Sequence, residues 1–520
     1  MTAKERRSAY AYKIKNIVIP VIFYCGIAGI LAGLTVAFFN RAANLLTGYS
    51  NQLYGWFKEN PAYIPLLFVG LAALAGAMWL VHKFTPEVRG SGIPQTEGVM
   101  RGLLTFRWLR VLISTCIGGF ISFFAGLSLG SEGPSVQIGA TTAQGAAKLM
   151  KARAAWQRYV VTRGASAGLA VAFNAPLTGI LFAIEEGHRR VAPMLLLSAS
   201  SSVVFATIVY RTVAQLWGGA DNMLFELGVL EMLPINQLWM LFLLGLGCGA
   251  AAIFFNFAIN RSQRATDKIE KKTPYWARLL VAFLLTGVVG LLLTDANTGG
   301  HGLIEKIAEQ DFTIQMLLLL LVVKMVMIVI CFNSGATGGM FIPMLAIGAL
   351  VGGIFGKLFM LWGMDPDCYK LVVCVAMTTF FGASVRAPLT AIVLLVEITG
   401  YNAGFLPASI AIFTAFLVAE LLGNRPLYDE MLERTLERRQ KKETKDVRME
   451  VEIELGSFLA GKSINDLLWP ANCLVTKVIR GEESVIADGE MRLEPGDIIV
   501  IKANTDNVEK TFEYLQSMIK

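Results

Sequence analysis

Charge is what this 520-residue chain most lacks: Asp, Glu, Lys and Arg make up 16% of it, against 55% hydrophobic residues and a mean hydropathy of +0.56. A soluble enzyme of this size needs a mostly polar surface, so that class is excluded. Histidine is scarce as well. His82, His188 and His301 stand far apart and form no metal-ligand pattern. The seven cysteines, at 25, 116, 248, 331, 368, 374 and 473, show no paired close spacing and read as small buried apolar residues, not disulfides or metal ligands. There is no Walker A loop and no GxGxxG leading out of a strand, so nucleotide hydrolysis and dinucleotide redox chemistry are not indicated. No enzymatic activity, cofactor or nucleic-acid polymer is expected. A "TVGYG"-type filter of carbonyls is missing too, which argues against a potassium pore.

Long uncharged runs fill the space that charge leaves. They cover 17–40, 60–82, 111–131, 164–184, 191–210, 232–260, 279–294, 325–356 and 398–419. A helix crossing a bilayer needs about 20 apolar residues, so the chain spans a membrane several times. Many runs carry Gly, Pro, Ser and Asn, and some, such as 371–385, fall short of a full span. Interruptions of this kind suggest half-helices that meet near the midplane around a polar site. Lys4, Arg6, Arg7, Lys13 and Lys15 precede the first run with only Glu5 against them, and no small-residue cleavage site follows it. The reading is a retained cytoplasmic N-terminus. Basic connectors at 83–110, 151–163 and 261–278 should face the cytoplasm, and the acidic connector 218–231, with Asp221, Glu226 and Glu231, should face outward.

Composition divides the chain. Residues 445–520 hold 14 acidic and 9 basic residues, leaving 25 acidic and 37 basic in the rest, so the membrane part is +12 and the tail −5. We expect a membrane domain over 1–431, a charged linker helix over 432–446 ("LERTLERRQKKETKD") and a soluble cytoplasmic α+β unit over 447–520. The alternating "RMEVEIEL" (448–455) and "GDIIVIKA" (496–503) read as strands, and "NVEKTFEYLQSMI" as a closing helix.

The membrane part repeats itself. "NAPLTGILFAIEE" (174–186) matches "RAPLTAIVLLVEI" (386–398), and "PSVQIGA" (134–140) matches "PMLAIGA" (343–349), at offsets of 212 and 209. Two homologous halves follow, with a site expected where they meet. Ahead of the shared proline each half is rich in glycine: "GSEGP" (130–134) and "GGMFIP" (338–343). Such motifs read as helix N-termini inside the membrane, with unpaired N–H groups that attract anions. "GSGIP" (90–94) is a third, with a hydroxyl at Ser91. Three anion-seeking ends suit a dehydrated halide. Glu132 would then be the chain's own anion, able to hold the place of a permeating one and to let go on taking up a proton. Its bland alternative is a helix cap.

The trio of glycine motifs, together with "NAPLTGILFAIEE", "RAPLT" and "RPLYDEML" (425–432), resembles the CLC family of chloride channels and chloride/proton exchangers over residues 17–435. The resemblance implies an all-α polytopic fold of two inverted repeats with re-entrant half-helices, a homodimer in the cell membrane and one anion path per subunit. It also implies a central chloride held by the hydroxyls of Ser91 and Tyr428 and the amides of Met340 and Phe341. The external gating glutamate falls on Glu132, and the internal proton-transfer glutamate on Glu186. Glu186 favours a proton-coupled antiporter; the alternative is a passive voltage- or ligand-gated chloride channel of the same fold. For Glu186 itself the alternative is a surface ion pair with Arg189 or Arg190. Ser91 and Tyr428 have ordinary packing hydroxyls as theirs. Glu185 and its repeat partner Glu397 are expected to be structural, since the repeat preserves them.

Two departures from the family pattern stand out. Ser131 takes a place where the family often has Arg or Lys, which weakens the local positive field, and Ile342 replaces a smaller residue. "GSGIP" separates the chain from the fluoride-exporting branch. The tail resembles the TrkA-C (RCK-C) module of potassium-transport regulators through "LAGKSINDL" and "VIRGEESVIADGEMRLEPGDIIVI". That resemblance implies a dimerising domain that binds a small regulator, a nucleotide or cyclic dinucleotide being the candidate class.

Overall fold

The computed structural model describes residues 19–101, 103–151, 154–188, 193–218, 224–225, 228, 230–269, 273–309, 312–440, 446–454, 457, 459–467, 469, 473–481, 483–504, 512 and 515. The basic N-terminal cluster, Arg189, Arg190, Asp221, Glu226, positions 441–445 and most of the expected closing helix lie outside the described residues. Helices dominate. The first half runs α1 (Ile19–Glu59), α2 (Ile64–Phe84), α3 (Ile93–Met100), α4 (Trp108–Phe124), α5 (Glu132–Leu149), α6 (Ala154–Phe173), α7 (Pro176–Phe182) and α8 (Pro193–Leu216). The second half repeats the order as α9 (Trp239–Ile269), α10 (Tyr275–Leu292), α11 (His301–Ala308), α12 (Ile314–Asn333), α13 (Phe341–Leu361), α14 (Tyr369–Val385), α15 (Pro388–Thr399) and α16 (Phe405–Leu421). Each helix thus corresponds to the one eight labels later.

Length decides which of these can cross a bilayer. The 41 residues of α1 rise about 60 Å and span with room to tilt, whereas the eight residues of α3 and of α11 rise about 12 Å. Those two are too short to cross the hydrocarbon layer, about 30 Å thick. Among the described residues eight helices are long and apolar enough to cross. Large apolar side chains such as Val69, Phe254, Phe257 and Val322 stand outward on them, as lipid-facing residues do.

Small residues set the packing inside each half. A Cβ on Gly139 of α5 would lie 2.2 Å from the carbonyl oxygen of Gly164 on α6, and one on Gly348 of α13 2.7 Å from that of Ala376 on α14. These equivalent glycines let equivalent helix pairs touch backbone to backbone. α14 is buried along its whole length from Leu371 to Val385, which explains why so short a segment is so apolar. Proline then opens α7 and α15, each preceded by a non-glycine residue in the left-handed region, Asn174 (φ 51°) and Arg386 (φ 66°). Matching strain at matching positions marks the repeat in the backbone itself.

A further helix, α17 (Leu427–Gln440), packs against α3 and α14 and leads toward the tail. Arg434 fastens it to the end of α9, donating to Gln263 Oε1 at 2.8 Å and to the Asn260 carbonyl at 3.1 Å. The tail is a four-stranded antiparallel sheet of β1 (Asp446–Glu452), β2 (Cys473–Arg480), β3 (Glu483–Ile486) and β4 (Ile498–Asn504) in the order β1-β4-β2-β3. The inner face of β4, with Ile499 and Ile501, packs with Met449 and Val451 of β1, and Phe512 and Leu515 are also buried.

Candidate anion and proton site

Backbone hydrogen bonds bring the three glycine motifs to one place. The loops ahead of α5 and α13 exchange a reciprocal pair, Gly130 N to Gly339 O and Gly339 N to Gly130 O, both 2.7 Å. A two-fold-like contact between equivalent loops is what inverted halves would make. The loop ahead of α3 joins through Gly90 N to Gly335 O at 3.2 Å and Gly338 N to Gly90 O at 3.1 Å. Nothing larger than glycine fits at the crossing. A Cβ on Gly133 would meet the Ser91 carbonyl oxygen at 2.1 Å, and one on Gly339 the Gly133 nitrogen at 2.6 Å. Gly92, which caps α3, has φ 85°, a further reason for glycine there.

The carboxyl of Glu132 opens α5 but reaches across to the other half. Its Oε2 accepts from the Ile342 amide at 3.5 Å and its Oε1 from the Ser131 hydroxyl at 3.4 Å. A carboxylate of the first half therefore sits on the N-terminal end of α13, where unpaired N–H groups and the helix dipole favour negative charge. Glu132, Met340 and Phe341 are fully enclosed. The Phe341 ring is held between Phe173 and Phe381, with centroids 4.4 and 4.0 Å away.

Ser91 and Tyr428 are buried, and neither hydroxyl has a partner among the described residues. A buried orphan hydroxyl costs about 1–3 kcal/mol. Ser91 stands against Gly133 in the glycine cluster. The Tyr428 hydroxyl lies within electrostatic reach of Glu186, Glu97 and Glu132. Glu186 is not part of the glycine cluster. It sits, enclosed, in a π-helical turn, Ala183–His188, that continues α7. Such turns are rare and are frequent at functional sites.

Sequence reasoning passed over four charged residues here. Lys324, the one charge between Asp311 and Lys357, is fully buried in α12. Its ammonium donates to the carbonyls of Ala296 (3.2 Å), Asn297 (3.5 Å) and Thr298 (2.6 Å), bracing a loop whose Gly299 lies against Gly130 and Ile342. Its isolation in an apolar run was the available signal. Glu97 is buried on α3, Arg101 caps that helix and Asp429 follows Tyr428 on α17; Arg101 Nη2 donates to Asp429 Oδ1 at 3.1 Å. Among the described residues no group of three or more His, Cys, Asp or Glu could hold a metal ion, and all seven cysteines are free.

Fold and site together define a polytopic membrane protein of two inverted halves, with anion-directed helix ends gathered at their junction and a small sheet domain behind. The chain belongs to the voltage gated chloride channel (CLC) family, whose model matches residues 72–420, and a TrkA-C domain matches 448–516. It is 34% identical over 445 residues to the H(+)/Cl(-) exchange transporter ClcA of Yersinia pseudotuberculosis serotype IB, covering 84% of this chain and 91% of that one. The ClcA of Klebsiella pneumoniae subsp. pneumoniae is 36% identical over 433 residues, covering 80% and 89%. Among solved structures, a slow cyanobacterial Cl-/H+ antiporter superposes with a TM-score of 0.73 at 32% identity, over 81% of this chain and 99% of that one. A CLC-type fluoride/proton antiporter shares the fold, with a TM-score of 0.65 at 21% identity over 78% and 96%.

Proposed function

We propose that the protein exchanges chloride for protons across the cell membrane, with Glu132 as the group that both ions compete to control. The observation that carries this reading is the seat of the Glu132 carboxylate on the Ile342 amide at the head of α13. As a carboxylate it holds the anion place. Protonation removes the charge that the helix end attracts, the side chain leaves, and chloride enters in its stead. Ser91 and Tyr428 supply hydroxyl donors deeper in, with the amides of Met340 and Phe341. Glu186 takes up the proton from the inner side and passes it toward Glu132, past the hydroxyl of Tyr428. The names of the ClcA relatives support proton coupling.

The same reading makes the protein a homodimer with both termini cytoplasmic, following the basic connectors. Residues 1–431 would form the transport domain, 432–446 a linker and 447–520 a regulatory domain for a small ligand of the nucleotide or cyclic dinucleotide class. The test is purified protein in liposomes. A chloride gradient is expected to drive protons uphill, and Glu186→Gln to stop proton movement while chloride flux continues. If the wild type carries chloride to equilibrium with no proton component, a passive channel replaces the exchanger.

A further inference from the structure

The inner end of the site holds an ion pair with no part yet in the transport cycle. Arg101 caps α3 and is bound to Asp429 of α17 at 3.1 Å, with both side chains largely enclosed (14% and 13% exposed). The guanidinium also lies within electrostatic reach of the buried carboxyls of Glu97 and Glu186, and its Nη2 is 3.5 Å from the Glu186 carbonyl. Asp429 in turn is the residue next to Tyr428. The first turn of α17 therefore carries a chloride-facing hydroxyl and, one residue on, the counter-charge to the cation beside the proton-accepting carboxyl.

We propose that Arg101 and Asp429 are positioning residues for the inner proton site, their ion pair setting the charge that Glu186 and Glu97 face. This rests on the exchanger reading. Paired, the two charges nearly cancel, and Glu186 can alternate between carboxyl and carboxylate. Unpaired, Arg101 would hold both acids ionised and slow proton uptake, while Asp429 alone would hold the proton on them. Further charged groups stand on the Glu186 turn and on the elements packed against it. Arg163 of α6 donates to Ser198 of α8 at 2.5 Å, Glu185 bonds α15, and the described charge of α8, Arg211, lies in its far half.

The two members of the pair then have opposite signatures. Proton flux at a fixed chloride gradient would be measured across pH in liposomes, with chloride flux in parallel. Asp429→Asn is expected to move the midpoint of the proton-flux profile about one pH unit toward acid, and Arg101→Gln a similar amount toward alkali. Arg101→Lys should stay near the wild type, and the double variant Arg101→Gln/Asp429→Asn, neutral again, should return to it. Shifts in the same direction, or a common loss of amplitude with the midpoint fixed, would reduce the pair to a structural latch and overturn the inference. A wild type that moves no protons would instead overturn the exchanger reading.

Discussion

Glu397 accepts both the amide and the hydroxyl of Thr178 at 2.7 Å, capping α7 from the opposite half of the molecule. Glu185 returns the contact, accepting the amide and hydroxyl of Thr390 at the head of α15, again at 2.7 Å. Each acid also takes one more amide, that of Leu177 or of Leu389. Two half-buried helix starts are thus satisfied by carboxylates that the repeat places at equivalent positions.

Removing one acid strips one helix start of its cap and leaves a threonine unpaired. Glu397→Ala is expected to cost about 2–4 kcal/mol, since bonds to charged groups are worth about 1.5–3 kcal/mol each and an orphan is left behind. Glu185→Ala should cost a similar amount, with the double variant departing from additivity because the two clasps share one helix crossing. Thermal unfolding in detergent would measure all three. Unchanged melting in Glu397→Ala would mean that water caps α7 equally well.

How legible these features were in sequence differs from one to the next. The three glycine motifs announced themselves because backbone crossing tolerates nothing else, and the structure joins them through Gly90, Gly130 and Gly339. The repeat was legible from two matched segments, which turned out to sit on α5 and α13, and on α7 and α15. By contrast, the Arg101–Asp429 pair joins residues 328 positions apart, and no local pattern specifies so distant a partner. In the tail, alternation marks the strand at 448–455 and a turn signal, "LEPGD", opens the one at 496–503, while β2 and β3 carry no such mark. Their hairpin turns at Gly481 (φ 64°), and the flanking "VTKVIR" and "ESVI" are too short and too mixed for period alone.

The contact between Glu132 and α13 predicts how transport depends on pH. Acid neutralises the carboxyl, so chloride flux in the wild type should rise as pH falls. Glu132→Gln is neutral at every pH and should carry chloride at a rate that no longer follows pH. Flux measured in liposomes over a pH series decides the matter. A variant as pH-sensitive as the wild type would place the gate elsewhere.

In the tail, Asp466 is one carboxyl whose bonding makes stability depend on pH. The hydroxyl of Ser463 donates to its Oδ2 at 2.6 Å, and that bond, aided by the Ser463 amide, holds the carboxyl below its ordinary value of 3.8. A depressed carboxyl contributes stability above its unfolded value and loses it as pH falls through the folded one. Asp466→Asn should therefore lower the unfolding temperature of the tail at neutral pH, with the difference closing below about pH 3.8. A difference that persists in acid would point to packing instead of charge.

Ser91 and Tyr428 allow binding to be separated from folding. A hydroxyl buried without a partner among the described residues contributes nothing to the fold that its removal could take away, so Ser91→Ala and Tyr428→Phe should leave unfolding temperature in chloride-free buffer unchanged or raise it by an amount worth up to about 1–3 kcal/mol. If the same hydroxyls donate to chloride, each variant should weaken its binding by about tenfold, or ~1.4 kcal/mol. Calorimetric titration with chloride would show it. Loss of stability with intact affinity would make the two residues packing groups and leave the amides of Met340 and Phe341 to hold the anion alone.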